Sequence, residues 1–474
     1  MRVWSAERMW VRGRFERDWA MMVDDQGIIQ ASGPRKQLVA RARHVNHYPQ
    51  SVILPAFVNP HHQGFHQLFK GIAAQTNQLD DYMGQLVYPF SQMIDEDLME
   101  AIYRTAYAEQ LKSGISNVGE FHYLHHGGFE KKGESLAEKA IRIALEMGIK
   151  ITLVYALFDQ GNSEETKAFI EPLDESIRQF VRLQETYKNH THVRIVPGVH
   201  SLAHTSAEAI IAASDLARKY HKPLHIQLAT HPRDLEEAQV QYGTTPLRAI
   251  EKMGLLKNGL VVVHANYLER EELKMLKDCA AGLITCPTSS QAKGEQLPDY
   301  GHIYKLDIPI TFGSEMASMN LNFAPCHEFQ AMEYELRRSM GRMNIMAQRT
   351  PNQLFEYVSS VPQAMLGGSE GQLMPGSPAD FICVSLEGPD YRPHWDFNGP
   401  TFQNLLMMGW RNGLVTQTVV HGEEVYSSPA FKSAKLDRAY RKLDDWSAAF
   451  NRSLEHQTQD KAGQEITQEA AGNA

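Results

Sequence analysis

A chain of 474 residues with a net charge of −9, its acidic and basic residues interspersed, is too long for one small core and offers no basic face to a nucleic acid. Four cysteines, Cys279, Cys286, Cys326 and Cys383, lie scattered without any CxxC pairing, which argues against a disulfide framework and a thiolate zinc site. The first residues carry charges throughout and no apolar run reaches spanning length, so a cytoplasmic protein handling a small molecule, with no nucleic-acid or membrane partner, is expected.

Residues 1–53 alternate in short apolar stretches, with a turn at Asp24-Asp25-Gln26-Gly27 between two of them, and read as the first part of a small β unit. Residues 54–364 are expected to form the main domain. Apolar strands recur there, beginning just upstream with VILPAFV and continuing as ISNVGEF, ITLVYALF, VRIVPGV, PLHIQLA, LVVVHA, GLITC and IPITFG. Between them lie amphipathic stretches such as SLAEKAIRIALEMG, whose apolar residues recur at i, i+3 and i+4. Eight strand-helix repeats predict an α/β fold, a parallel (β/α)8 TIM barrel, with a doubly wound open sheet as the competing arrangement. Residues 365–430 return to short strands and are expected to complete the N-terminal part as a composite β-sandwich. Residues 431–474 predict one amphipathic helix and a flexible polar tail.

Barrel chemistry sits where the strands end, and those positions are polar. Strand one ends in His61, His62 and Gln63. Strand two ends in Glu120, His122 and Tyr123, with His125 and His126 beyond. Strand four ends in His200, with His204 following; strand five carries His225 and Gln227, strand six ends in His264, and strand eight in Glu315. A single strand-end histidine is more often a hydrogen-bonded structural residue than a catalyst. Adjacent histidines cannot both point inward on a regular strand, so one of each pair is expected to be structural. Glu120 and Glu315 follow apolar strand, where an unpartnered carboxylate is costly, and this favours a functional reading.

The segment LPAFVNPHHQGFHQLFKG resembles the first-strand signature of the amidohydrolase superfamily, whose HxH pair supplies two metal ligands. LHIQLATHPRDLEEA is similar to its fifth-strand segment, VVVHANYLEREEL to its sixth, ITFGSEMASMN to its eighth, and GSPADF to the stretch that re-enters its composite β domain. Within the superfamily, GISNVGEFHYLHH and PGVHSLAHTSAEAI resemble blocks of formimidoylglutamate deiminases and their aminohydrolase relatives. The resemblance implies a homodimer and C–N hydrolysis by metal-activated water.

Residue by residue, the metal shell carries over only in part. His61 and His264 match ligand positions, whereas Gln63 and Gln227 stand where imidazoles are expected. Thr230 replaces the proton-shuttling glutamate, and Glu315 replaces the eighth-strand aspartate. Neutral amides are weak zinc donors, so no cofactor is expected, with zinc or another divalent metal, and a shifted ligand set drawn from His62, His66, His225 and His231, as the alternative. Ala203 and Gly84 stand where arginines would grip a glutamate-type carboxylate, which argues against formimidoylglutamate.

Three readings follow. The first is an amidohydrolase-like enzyme that acts on a small polar nitrogen-containing substrate without the usual zinc, by hydrolytic C–N cleavage or related general-base chemistry. In it His264, Glu315 and His61 are catalytic, and Gln63, Glu120, Tyr123, His200, His225 and Gln227 bind substrate. The second is a conventional metal-dependent deaminase with unusual ligands. The third is a pseudoenzyme that binds a ligand or a partner.

Overall fold

The structure is a computed structural model and describes residues 1–126, 134–161, 164–257, 259–350, 352–388, 391, 400–428, 431, 433–450 and 452. Seven parallel strands follow one another in chain order: β1 (Phe57–Gln63), β2 (Ile115–His122), β3 (Lys150–Leu157), β4 (Val193–Val199), β5 (Leu224–Leu228), β6 (Leu260–His264) and β7 (Gly282–Thr285). The eighth strand is split in two. Its first part, Ile310–Phe312, pairs with β7, and its second, Glu315–Met316, pairs with β1 through the register Glu315 to His62 and Met316 to Gln63. This split strand, β8, closes the sheet on itself, so the arrangement is the TIM barrel and the open-sheet alternative falls away.

The crossover at Gly313 and Ser314 is held by side chains. The Asn59 amide donates to Ser314 Oγ at 2.7 Å, and the Ser314 N–H donates back to Asn59 Oδ1 at 3.2 Å. Residue 313 is glycine because a Cβ there would stand 2.7 Å from His61 Cβ and 2.9 Å from the His61 carbonyl. The eighth strand passes directly over the first functional histidine.

Local signals explain the helices that wrap the barrel. Leu136–Met147 begins with a reciprocal capping box between Ser135 and Glu138 and ends at Gly148, whose φ of 78° suits a residue without Cβ. Its buried side includes Leu136, Ala140, Ile141 and Ala144, spaced to lie on one face. Inside the barrel, Val261, Val263 and Ile284 meet Met365 in a small apolar cluster. This cluster forms a floor beneath the strand ends.

Both ends of the chain share a second sheet, in the order Glu423–Ser427, Val415–Val420, Phe381–Ser385, His44–Pro55, Arg2–Val11, Trp19–Val23, Ile29–Pro34. Phe381–Ser385 runs antiparallel to the end of His44–Pro55, the stretch that leads into β1. Asp380 ties this sheet to the base of the barrel: its carboxylate pairs with Lys150 at the start of β3 and accepts the His421 N–H at 2.8 Å. Lys150 has only 5% of its side chain exposed, so D380N leaves a buried ammonium short of its counter-charge. We expect a loss of about 3 kcal/mol, read as a lowered denaturation midpoint with an unchanged slope.

Residues 434–450 form the expected terminal helix. The tail expected to be flexible, residues 453–474, lies outside the described residues. Among the described residues no helix is long and apolar enough to cross a membrane.

Candidate active site

Strand ends alone do not aim the functional side chains, because three of the residues there leave extended geometry. His264, Ala265 and Glu315 have φ values of 76°, 58° and 54°. Val261 and Val263 face the barrel floor, so regular alternation would turn His264 outward. The left-handed backbone turns it in. Such a conformation costs roughly 1–2 kcal/mol per non-glycine residue and persists where the surroundings over-determine it.

Once turned in, His264 Nε2 lies 3.4 Å from Glu315 Oε1, and that same oxygen accepts a 2.9 Å hydrogen bond from Lys293 Nζ. All three side chains are buried, with exposures of 0%, 3% and 1%. Burial opposes charge on Glu315, yet Lys293 and His264 outweigh it and hold the carboxyl at about 2. Burial pushes the His264 imidazole down to about 4, so it is neutral at physiological pH. Burial also opposes the Lys293 charge, and Glu315 overcomes this and raises it. Cys286, just past β7, completes the cluster. Ligand atoms of His264, Cys286 and Glu315 all lie within 4.8 Å of one another.

Facing this cluster is His61, its ring centroid 5.7 Å from that of His264. The amide nitrogens of Gln63 and Gln227 approach His61 Nε2 at 3.4 and 3.5 Å. A buried chain of hydrogen bonds fixes the first amide. Tyr123 donates to Gln63 Oε1 at 3.0 Å and meets His66 Nε2 at 2.9 Å; His66 Nδ1 meets the Tyr82 hydroxyl at 2.8 Å, and Tyr82 meets Ser318 Oγ at 2.7 Å. With its carbonyl engaged by Tyr123, Gln63 turns its N–H donors toward the site. His200 packs on Tyr123 at a ring separation of 4.6 Å and on Phe158 at 4.8 Å, forming an aromatic wall.

Seven of the sequence-derived residues therefore converge: His61, Gln63, Tyr123, His200, Gln227, His264 and Glu315. Two do not. Glu120 pairs in register with His62 and points to the helix layer, where its Oε1 accepts the Gly64 N–H at 2.7 Å beside Tyr103. Burial raises its carboxyl to about 8, so the fold retains a proton that the unfolded chain has lost by pH 7. That term favours the fold below the unfolded carboxyl value and fades as pH rises through about 8. E120Q should remove this pH dependence, visible as a melting temperature that falls less than the native chain's between pH 5 and pH 9.

His225, the second correction, lies deeper in the barrel, and its Nε2 meets the Met365 carbonyl oxygen at 2.9 Å. It belongs to the floor, not to the substrate space. The shifted ligand set also fails. His62 Nδ1 meets Ser314 Oγ at 3.2 Å on the far side of β1, His66 is enclosed by two tyrosines, and His231 caps a helix by accepting the Arg233 N–H at 3.1 Å. Thr230, in the shuttle position, gives its N–H to Asp234 at 2.7 Å.

Cys286 and Lys293 are missing from the sequence-derived set. Cys286 is the last residue of GLITC, so the strand-end criterion applied to strand seven would have found it. Lys293 follows the short helix Pro287–Ala292 and nothing in the local sequence marks it as buried.

Residues 52–425 match the amidohydrolase family. The chain belongs to this family. It is 22% identical over 423 residues to the 5-methylthioadenosine/S-adenosylhomocysteine deaminase of Pyrococcus furiosus, covering 89% of this chain and 94% of the relative. Its fold superposes on a zinc-bound adenosine deaminase from Xanthomonas campestris with a TM-score of 0.82 at 16% identity, covering 95% of this chain and 98% of the other. It also superposes on atrazine chlorohydrolase from Arthrobacter aurescens complexed with zinc, with a TM-score of 0.81 at 18% identity, covering 94% and 99%. The amidohydrolase is thus a hydrolase or deaminase with relatives acting on small nitrogen-containing molecules, though the relatives named here are not formimidoylglutamate deiminases.

The expectation of a centre without metal is corrected. Structural neighbours hold zinc, and this barrel offers a nitrogen, sulfur and oxygen donor set of its own. Both ring nitrogens of His264 and Glu315 Oε2 are buried without a hydrogen-bond partner among the described residues, which is the condition of groups arranged for something other than each other. A neutral imidazole, an ionised carboxylate and a cysteine suit zinc, and three protein ligands leave a coordination position open, as catalytic zinc sites do. His264, Cys286 and Glu315 would hold it. The sequence-based expectation missed this because the third ligand, Cys286, lies just past a strand that carries no histidine or acid.

Proposed function

We propose that this amidohydrolase removes a substituent, by hydrolysis, from a ring carbon of a small nitrogen heterocycle. The observation that carries the reading is the convergence, at one barrel mouth, of the His264, Cys286 and Glu315 cluster with the paired amides of Gln63 and Gln227. Zinc bound there supplies Lewis acidity and lowers the pKa of water. The protein's own groups do the rest.

Glu315, ionised and pinned by Lys293, is placed to accept the proton of the attacking water as its oxygen bonds to the ring carbon. The N–H groups of Gln63 and Gln227, gathered at His61 Nε2, would donate to a ring nitrogen that gains electron density and so stabilise the adduct. The adduct then collapses and the substituent leaves with its bonding electrons. The aromatic wall of Tyr123, His200 and Phe158 offers a flat face to a planar ring. The adenosine-type substrates named for the relatives and the triazine named for a neighbour are both planar nitrogen heterocycles, which supports this class.

Thr230 narrows it. The nearby carboxylate of Asp234 is engaged by the Thr230 and His231 N–H groups, so position 230 offers no acid to protonate a departing amine, which favours a weakly basic leaving group. The test is to load the protein with zinc and offer 5-methylthioadenosine, 5′-deoxyadenosine and a chloro-s-triazine, measuring ammonia and chloride. Turnover of at least one, abolished by H264A, is the expected result. No release from any of the three, or release that H264A leaves intact, would overturn the reading.

A further inference from the structure

We propose that Lys293 is an internal cation that competes with a divalent metal for the Glu315 carboxylate, so that this centre holds its metal weakly and exchangeably. The inference rests on the reading of His264, Cys286 and Glu315 as a metal-holding cluster. It concerns a residue that forms no part of that ligand set.

Lys293 is unusual in its surroundings. Its side chain is 1% exposed, and its ammonium lies 2.9 Å from Glu315 Oε1, the oxygen that also lies 3.4 Å from His264. Cys286 and Glu295 are the other groups close enough to act on its charge. Glu295 is engaged elsewhere, accepting from the Tyr267 hydroxyl at 3.2 Å and lying 3.8 Å from His231. The nearest full countercharge of Lys293 is therefore the carboxylate that a metal would also use.

Two consequences follow from elementary electrostatics. A dication at the cluster would meet a positive charge already seated on one of its ligands, in an interior where repulsion is screened far less than in water. In addition, the donor strength of Oε1 is shared with an ammonium hydrogen bond, leaving Oε2 as the free oxygen. Both effects weaken cation binding. Neither depends on any group changing its protonation state.

Replacing Lys293 by methionine keeps the unbranched stem and removes the charge, leaving Glu315 as a buried carboxylate whose best available partner is the metal. Stripped protein titrated with zinc against a chromophoric chelator should show K293M binding zinc at least tenfold more tightly than the native chain. K293R, which keeps the charge, should stay near the native value. K293M/E315Q, which lacks both charges, should fall below it because a ligand is lost. K293Q, able to hydrogen-bond Glu315 without charge, carries the same expectation as K293M should methionine prevent folding. Equal or weaker zinc binding by K293M and K293Q, with the native chain still binding, would overturn the proposal and leave the metal centre standing. Absence of zinc binding in every variant, the native chain included, would overturn both.

Discussion

E315Q is expected to lower turnover by about two to three orders of magnitude and to destabilise the fold, because one carboxylate serves as ligand, as proton acceptor and as the counter-ion of Lys293. The structural loss should approach about 3 kcal/mol, since breaking a buried pair leaves an uncompensated ammonium, reduced by whatever hydrogen bond the glutamine carbonyl still accepts. The pH dependence gives a sharper signature. Glu315 is held at about 2 in the fold, below the roughly 4.3 of an unfolded glutamate. Its stabilising contribution is therefore fully present above the unfolded value and is lost as pH falls toward about 2. A native-minus-E315Q difference in unfolding free energy that shrinks on acidification below about pH 4.5 is the expected result. A difference that stays constant through that range would show that Glu315 is not ionised in the fold.

G313A is the second large effect, and it acts without touching any polar group. The added methyl would sit 2.7 Å from His61 Cβ and 2.9 Å from the His61 carbonyl oxygen, so β1 and β8 must separate. Forced overpacking typically costs about 1–3 kcal/mol. Here it also moves His61 relative to His264 and Glu315, and a displacement of about 1 Å in a catalytic array can cost about two orders of magnitude in rate. Melting temperature and kcat/KM should fall together. G84A is the matched control, since a Cβ there meets nothing within 4 Å; it should lower neither, and should raise the melting temperature slightly, if at all, as a helical Gly→Ala change does. A fully active G313A would mean that His61 has no positional role.

Much of this molecule is readable from one dimension. The alternation of apolar strands with amphipathic helices, the capping pattern at Ser135 and the polar strand ends are local signals, and the barrel follows from them. Gln63 and Gln227 can be paired from sequence because each replaces a histidine at a matching place, and the structure brings both amides to His61. The family match over residues 52–425 agrees with the motifs that carry the resemblance.

The errors have a common physical origin. Glu120 looks like a pocket residue because it sits near a strand end among polar neighbours, but a register irregularity between Asn59 and His62 places it beside His62 on the helix-facing side. His225 shares the inward face with Gln227 yet lies two residues deeper, where the Met365 carbonyl takes its ring nitrogen. Strand parity says which face a side chain occupies. It does not say at what depth the floor begins.

What the sequence by itself determined is the order of the strands, the barrel they close into and the rim of imidazole, amide and carboxylate groups, because these depend on periodicity and on residue type at strand ends. Tertiary structure alone decided which of those groups face one another. The left-handed backbone at His264 and Glu315 overrides the alternation that a sequence reader must assume, and it does so only because packing around the split eighth strand holds it there. Lys293 enters the site for a related reason: a buried charge is defined by the atoms that surround it, and those arrive from elements far away in the chain.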